Sequence, residues 1–405
     1  MHVFLSDLHM TDADTAGAVS DGVLTEFLGR LELLARPGEK TTVVFVGDIL
    51  ELLRSEKWHV LWTKHRSAPW SGMGPKFANF RNGHAEACAI QVAEGIRARY
   101  ANFSARLKAL VQSGLFETRY VFGNHDYMVQ LSPKLRAIVG DLLALDHDPE
   151  KPFSLTYSDD GAAVYATHGH TSDPVNWHRE AEGYWALGDA IVLRIVNRFA
   201  TMACEELGIA PATQTGLHLQ EIDNIEPLAD IPLYVRWLAE TLATEAQRKK
   251  VVRTWRQVVD EFLAIAEFDD DAGYGGSQYQ AVRQVFKLSR HVRFAELLAT
   301  AGQLFSAAGT DYAAAARTLQ LQHPHYRFIL FGHTHEPLLV PQTVIGGKTS
   351  FYVNTGCWRR LVTRTSKDAA NSFVPRRIAS YFRIDGAGGG IPQERYHLYQ
   401  EWHAS

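Results

Sequence analysis

One pattern constrains this chain more than any other: a short, largely apolar run that breaks abruptly into aspartate, asparagine or histidine. Val3-Phe4-Leu5 runs into Ser6-Asp7-Leu8-His9, and Thr42-Val43-Val44-Phe45-Val46 runs into Gly47-Asp48. Tyr120-Val121-Phe122 delivers Gly123-Asn124-His125-Asp126, and Val164-Tyr165-Ala166-Thr167 delivers His168-Gly169-His170. Phe328-Ile329-Leu330 delivers Phe331-Gly332-His333-Thr334-His335. Runs this short and this apolar suit strands buried on both faces, as in parallel sheets. In open α/β sheets, ligands gather beyond the carboxyl ends of the strands. The pattern therefore predicts an α/β fold with one polar site assembled from separate strand ends. On an ideal strand, residues i and i+2 share a face, which would aim His333 and His335 into that site together.

Helices are expected between these runs. Val23, Phe27, Leu31 and Leu34 recur at spacings of three and four and predict a helix over residues 20–35, and a long helix fits 85–113. Residues 58–74 contain Trp58, Trp62 and Trp70 among Pro, Gly and Ser, and read as a loop over the strand ends. Its tryptophans form either an apolar lip for a substrate or packing under helices. From residue 172 to 321 the strand-and-tip pattern gives way to helical periodicity, clearest in Val251, Val252, Trp255, Val258, Val259, Phe262 and Leu263. Further strands are expected near 350–353, 378–382 and 396–399, with the glycine-rich 386–390 as a hairpin turn. The expected organisation is a core in two parts, 1–171 and 326–405, separated by a helical insertion or cap at 172–325.

With 46% apolar and 21% charged residues, the composition is that of an ordinary soluble globular protein. A net charge of −4 gives no sign of a polyanionic partner. Cys88, Cys204 and Cys357 are far apart and odd in number, so they read as thiols in a reducing compartment. No apolar run approaches the roughly 20 residues of a membrane span. The chain opens directly on a strand-like run without the basic start of a secretory signal, and a cytoplasmic location is expected.

The chemistry of the strand tips is that of a metal site. Carboxylate oxygen with imidazole nitrogen suits Mn²⁺, Fe²⁺ and Zn²⁺. The lack of cysteine among these residues argues against a closed thiolate zinc site. The donors suffice for two ions, and a carboxylate can bridge metals held about 3.5–4 Å apart. Asp48, alone after Gly47, is the natural bridge. Such a pair lowers the pKa of a bound water toward about 7 and clamps phosphoryl oxygens.

Taken in order, Asp7-x-His9, Gly47-Asp48, Gly123-Asn124-His125-Asp126, His168 and Gly332-His333-x-His335 resemble the motifs of the calcineurin-like metallophosphoesterases. The resemblance covers the motif-bearing parts of 1–171 and 326–360, and not the helical stretch. It implies a four-layer α/β sandwich of two mixed sheets flanked by helices. By the same resemblance, Asp7, His9, Asp48 and His335 hold one metal, and Asp48, Asn124, His168 and His333 hold the second. His125 then matches a histidine that is not a ligand but stabilises the transition state or protonates the leaving oxygen, with Asp126 orienting its ring. Asn354-Thr355-Gly356-Cys357 resembles another family turn, in which serine is usual at the last place.

The chain also departs from the family's protein phosphatases. They continue Gly-Asp with Asp-Arg-Gly and carry Glu where Asp126 stands. Gly47-Asp48-Ile49-Leu50-Glu51 is closer to the branch containing the bacterial pyrophosphatase that cleaves UDP-diacylglucosamine, although His170 stands where that branch has Asp.

The expected activity is hydrolysis of a phosphoester or phosphoanhydride by a metal-bridging hydroxide. Two divalent ions are needed, Mn²⁺ first, with Fe or Zn as the other choices. The expected substrate is a small or lipid-like, amphipathic organophosphate. The alternatives are a phosphomonoesterase for protein or metabolite, a nuclease, or a binding scaffold with a vestigial metal site. Arg359 and Arg360 are candidates for a substrate phosphate. His170 reads either as a substrate contact or as a solvated loop residue. Arg248, Lys249, Lys250, Arg253 and Arg256 flank the helical apolar stripe and read as a solvated helix face.

Overall fold

The polar tips hang from two mixed sheets in the computed structural model, which describes residues 1–13, 17–36, 38–64, 84–177, 186–226, 230–264, 284, 286–287, 311–365, 373–385 and 395–403. The first sheet is built on β1 (His2–Leu5), β2 (Thr41–Val46) and β3 (Phe116–Val121), which run parallel. Antiparallel β10 (Phe373–Asp385) pairs with β1 and carries β11 (Arg395–His403) and β9 (Arg360–Arg364). The second sheet has the order β4 (Thr156–Asp159), β5 (Val164–Thr167), β6 (Phe328–Phe331), β8 (Lys348–Asn354) and β7 (Leu338–Ile345). Its three inner strands are parallel and its two edges antiparallel.

The alternation of side chains along the strands decides how the layers stack. Val3, Leu5, Val43 and Phe45 point to one face of the first sheet. There they pack against α1 (Asp21–Leu34), α3 (His84–Arg99), α4 (Ala101–Gln112) and α5 (Pro133–Leu142), through residues such as Phe27, Leu31, Val92, Leu107 and Val139. Phe4, Val44 and Val46, one residue out of phase, meet Val164, Ala166, Phe328, Leu330 and Val353 of the second sheet. Ile329 and Phe331 point to that sheet's far face, against Ala316 of α11 (Tyr312–Gln322). Each such fully buried side chain contributes roughly 1.5–3 kcal/mol relative to exposure.

Between β5 and β6 the described regular elements are helices: α6 (Leu187–Ile191), a π turn Val192–Val196, α7 (Asn197–Leu207), α8 (Gln214–Gln220), α9 (Ile231–Thr241), α10 (Glu245–Leu263) and α11. Val251, Trp255, Val258, Val259 and Phe262 of α10 form a separate apolar cluster with Ile195, Phe199, Tyr234 and Leu238. That cluster also takes in Val362 and Phe373 of β9 and β10. The basic residues of α10 pair outward: Arg248 and Lys249 lie near Glu245, and Arg253 near Glu206.

Several boundaries differ from expectation. The single helix over 85–113 is two, broken at Tyr100, whose hydroxyl donates to the Val19 carbonyl at 2.7 Å. Residues 56–64 form a helix, α2 (Glu56–Lys64), where a loop was expected. Trp58 is buried there, with its indole N–H donating to the Leu52 carbonyl at 2.9 Å, so it is packing rather than a substrate lip. The Trp62 side chain, Trp70, the rest of the 58–74 loop, the 386–390 turn and much of 172–325 lie outside the described residues. Among the described residues, no helix is long and apolar enough to cross a membrane.

Candidate metal centre

Asp7, His9, Asp48, His333 and His335 all adopt left-handed backbone, with φ of 51°, 43°, 52°, 71° and 59°. Only Ala144 and Ala163 join them among the described non-glycine residues. Left-handed backbone costs roughly 1–2 kcal/mol in an L-residue, and such outliers cluster at functional sites. It also corrects the expectation for the His333–His335 pair. Both residues lie beyond the end of β6, so a shared strand face does not aim them; their left-handed backbone does.

The strand tips of both sheets converge. Asp7 Oδ1 lies 3.3 Å from His335 Nε2 and 3.7 Å from His9 Nε2, and the two imidazole nitrogens are 3.2 Å apart. Asp48 Oδ2 lies 3.1 Å from His168 Nε2. Donor atoms of Asp48, His168 and His333 fall within 4.8 Å of one another, and so do those of His9, Asp48 and His125. Asp48 is common to both groups, and His335 and His333 face different partners.

Each carboxylate is held by one oxygen and presents the other. Asp7 Oδ2 accepts from the His333 N–H at 3.1 Å and from the Ser6 hydroxyl, whereas Oδ1 is buried without a hydrogen-bond partner. Asp48 Oδ1 accepts from the His125 N–H at 2.8 Å, and its Oδ2 is likewise unpartnered. Asn124 Oδ1, His168 Nε2 and His335 Nδ1 belong to the same set of buried orphan atoms. Gly332 is required by the packing: a Cβ there would sit 2.5 Å from both Asp7 Oδ2 and Ser6 Oγ. At Gly47 (φ 84°), a Cβ would meet the His168 ring at 2.5 Å.

The imidazoles of His9, His168 and His333 are each anchored by a hydrogen bond through the other nitrogen, while that of His335 has a carboxylate at ion-pair distance. His168 Nδ1–H donates to the Val46 carbonyl at 2.8 Å, and His9 Nδ1–H to Glu51 at 2.8 Å. His333 Nε2–H donates to Asp173 at 3.0 Å, and His335 Nδ1 lies 3.6 Å from Glu226 Oε2. Metal-ligating histidines are held in this way, with the outer nitrogen on a carboxylate or carbonyl and the inner one left for the metal. Buried orphan oxygens, oriented imidazoles and a mixed O/N donor set all fit divalent ions of the Mn, Fe or Zn kind.

No family model and no curated protein matches this chain.

The geometry also reassigns some expected roles. Asp126 does not orient His125. Its carboxylate accepts from the backbone N–H groups of Gly123 (2.6 Å) and Ile49 (3.0 Å), bracing one strand tip against the next. Burial and the nearby Asp48 push its pKa up to about 6. Glu51 does the orienting instead: its Oε1 accepts from His125 Nδ1–H at 2.8 Å while its Oε2 holds His9. Burial alone would raise the Glu51 pKa, but the imidazolium charge of His125 and its hydrogen bonds to both rings hold it well below the usual range. Burial alone would lower His125, and the Glu51 and Asp48 carboxylates more than offset that, so it is raised.

The expected substrate contacts fare differently. Arg360 is engaged by the buried carboxylate of Glu221. Arg359 is buried, with its guanidinium 3.8 Å from Glu51 and Arg54 close by at 3.9 Å from the same carboxylate. His170 is buried against His168 and Phe122 rather than solvated. Cys357, in contrast, places its sulfur among the His9 and His335 nitrogens and donates to the Asp7 carbonyl at 3.4 Å.

Sequence reasoning missed Asp173 and Glu226 and assigned no role to Glu51. Only Glu51 carried a signal, through its fixed distance from Gly47-Asp48.

Proposed function

We propose that this chain is a phosphoester or phosphoanhydride hydrolase that works with two divalent ions, a calcineurin-like metallophosphoesterase. In this reading its core is the four-layer sandwich of that family, with 172–325 as a helical insertion. The observation that carries the proposal is the pair of donor groups sharing Asp48, with the imidazoles of His9, His168 and His333 each held by an oxygen on the outer nitrogen. Asp7, His9, Asp48 and His335 would hold one ion, and Asp48, Asn124, His168 and His333 the other. Mn²⁺ is the first ion to test, then Fe and Zn. Bound ions of this kind activate water near neutral pH and neutralise charge on phosphoryl oxygens.

The chain's own residues supply the rest. His125 keeps part of its side chain exposed (17%), and Glu51 holds its Nδ1. Nε2 is thereby left to face a leaving oxygen, and the Glu51 and Asp48 carboxylates raise the pKa of the ring, which favours its protonated form. Asp126 fixes the turn carrying Asn124 and His125 to the loop after Asp48. In this reading the substrate is a discrete, small or amphipathic organophosphate rather than long duplex DNA. Three buried free cysteines suit a reducing, cytoplasmic setting.

Purified protein should bind two transition-metal ions per chain and, with Mn²⁺, hydrolyse bis-p-nitrophenyl phosphate or its monoester. Protein that takes up no metal and stays inactive with Mn²⁺ overturns the reading. Asp48→Ala should abolish turnover and weaken both sites, whereas His125→Ala should cut turnover by about 10²–10⁴-fold with both ions retained. Loss of the ions from His125→Ala makes it a ligand instead.

A further inference from the structure

Strand β9 carries Arg360, Val362 and Arg364 on one face, because alternate residues of a strand point the same way. All three are gripped by one stretch of the helical segment between α8 and α9. Glu221, buried, pairs with Arg360. Ile225 bridges to Val362, and the Glu226 N–H donates to the Val362 carbonyl at 3.1 Å. Asp230, also buried, accepts from Arg364 Nε at 3.2 Å. Glu226 thus lies in the middle of a three-point attachment, and its carboxylate reaches 3.6 Å from His335 Nδ1. The other nitrogen of that ring is the one facing Asp7 and His9.

The base of the attachment is tied to the centre as well. Just before β9, the Trp358 N–H donates to the Asp7 carbonyl at 3.0 Å, and Cys357 donates to the same oxygen. A short rigid path therefore runs from Asp7 through Trp358 and β9 to Glu226, and closes on His335.

We propose that Glu226 is a positioning residue of the metal centre. The helical segment delivers it by its attachment to β9, and it fixes the ring of His335 so that Nε2 is presented to the ion held with Asp7 and His9. The helical segment is then part of the metal centre and not only a cover over it. This inference rests on the two-metal reading above. It assigns to one ion a determinant that lies outside the strand tips.

The test is chelator competition on the full chain loaded with Mn²⁺ or Zn²⁺, comparing wild type with Glu226→Gln and Glu226→Ala. Outer partners of ligating histidines are typically worth 10–100-fold in metal affinity. One of the two ions should therefore bind about 10-fold or more weakly in Glu226→Gln, and at least as weakly in Glu226→Ala. The second ion should keep its wild-type affinity. Melting of each protein in excess chelator above pH 9, where neither metal nor a protonated His335 contributes, should be unchanged. Two ions at wild-type affinity in both variants overturn the inference alone. So does a loss of affinity matched by a fall in metal-free melting temperature above pH 9, since that marks a general structural role. Wild-type protein that binds no metal overturns the two-metal reading and this inference with it.

Discussion

Glu51 is buried between two histidines of different expected duty, one oxygen on His9 and the other on His125. Asp126, the residue expected to orient His125, instead accepts from the Gly123 and Ile49 N–H groups. The two carboxylates therefore make separable predictions. Glu51→Gln removes the charge that raises His125, so the pH above which turnover falls should move down, with turnover reduced. Asp126→Asn should lower stability by about 1–3 kcal/mol through a weakened buried hydrogen bond, while the pH profile keeps its position. A pH profile that shifts in Asp126→Asn and not in Glu51→Gln returns the orienting role to Asp126. The difference also shows what was legible. Asp7, Asp48, Asn124, His168 and His333 stood out because a polar tip after an apolar run needs no tertiary information. Asp173 and Glu226 sit in stretches with no such contrast, and only the folded chain brings them to His333 and His335.

At the scale of elements, the apolar strands were readable, and the polar or proline-bearing edges β4 and β7 were not. β2 is buried throughout and apolar from Val43 on, whereas β4 is a half-exposed Thr-Tyr-Ser-Asp edge. β7 contains Pro341, which ordinarily argues against a strand; it is tolerated at the sheet edge beside a register shift. The break between α3 and α4 had no glycine or proline to announce it; it falls at Tyr100, whose hydroxyl donates to the Val19 carbonyl. The helical segment was legible as helices, but not its attachment to β9. That attachment predicts coupling. Trp255 of α10 lies in a cluster continuous with Val362 and Phe373. Trp255→Ala should cost about 3–5 kcal/mol. Hydrogen exchange should show the loss of protection spreading to β9 as well as through the helices. Loosening confined to α7, α9 and α10 contradicts a shared core.

For the whole molecule, the consequence of the convergence is electrostatic. Asp7 and Asp48 come from the first sheet, His168 and His333 from the second, so the centre joins the carboxyl ends of both. Without metal, burial alone would lower the pKa of His168, but Asp48 and Asp7 overcome it and push it up to about 9. For His335, burial is likewise outweighed by Asp7 and Glu226, and it also reaches about 9. A histidine whose folded pKa is raised binds its proton more tightly in the folded state. Its contribution to stability is therefore complete below the unfolded value of about 6.5 and lost as pH rises to about 9. Metal-free protein should accordingly lose stability between pH 6.5 and 9. With metal the sign reverses: ligating imidazoles must be neutral, so binding strengthens as pH rises. At 100 times its dissociation constant, each ion adds about 2.7 kcal/mol. Because the donors span both sheets, that gain should appear as one cooperative shift of the entire melting transition. Melting temperatures from pH 6 to 9, with chelator and with Mn²⁺, test both points. Parallel curves, or metal stabilisation limited to one phase of a split transition, would show that the centre does not join the two sheets in this way.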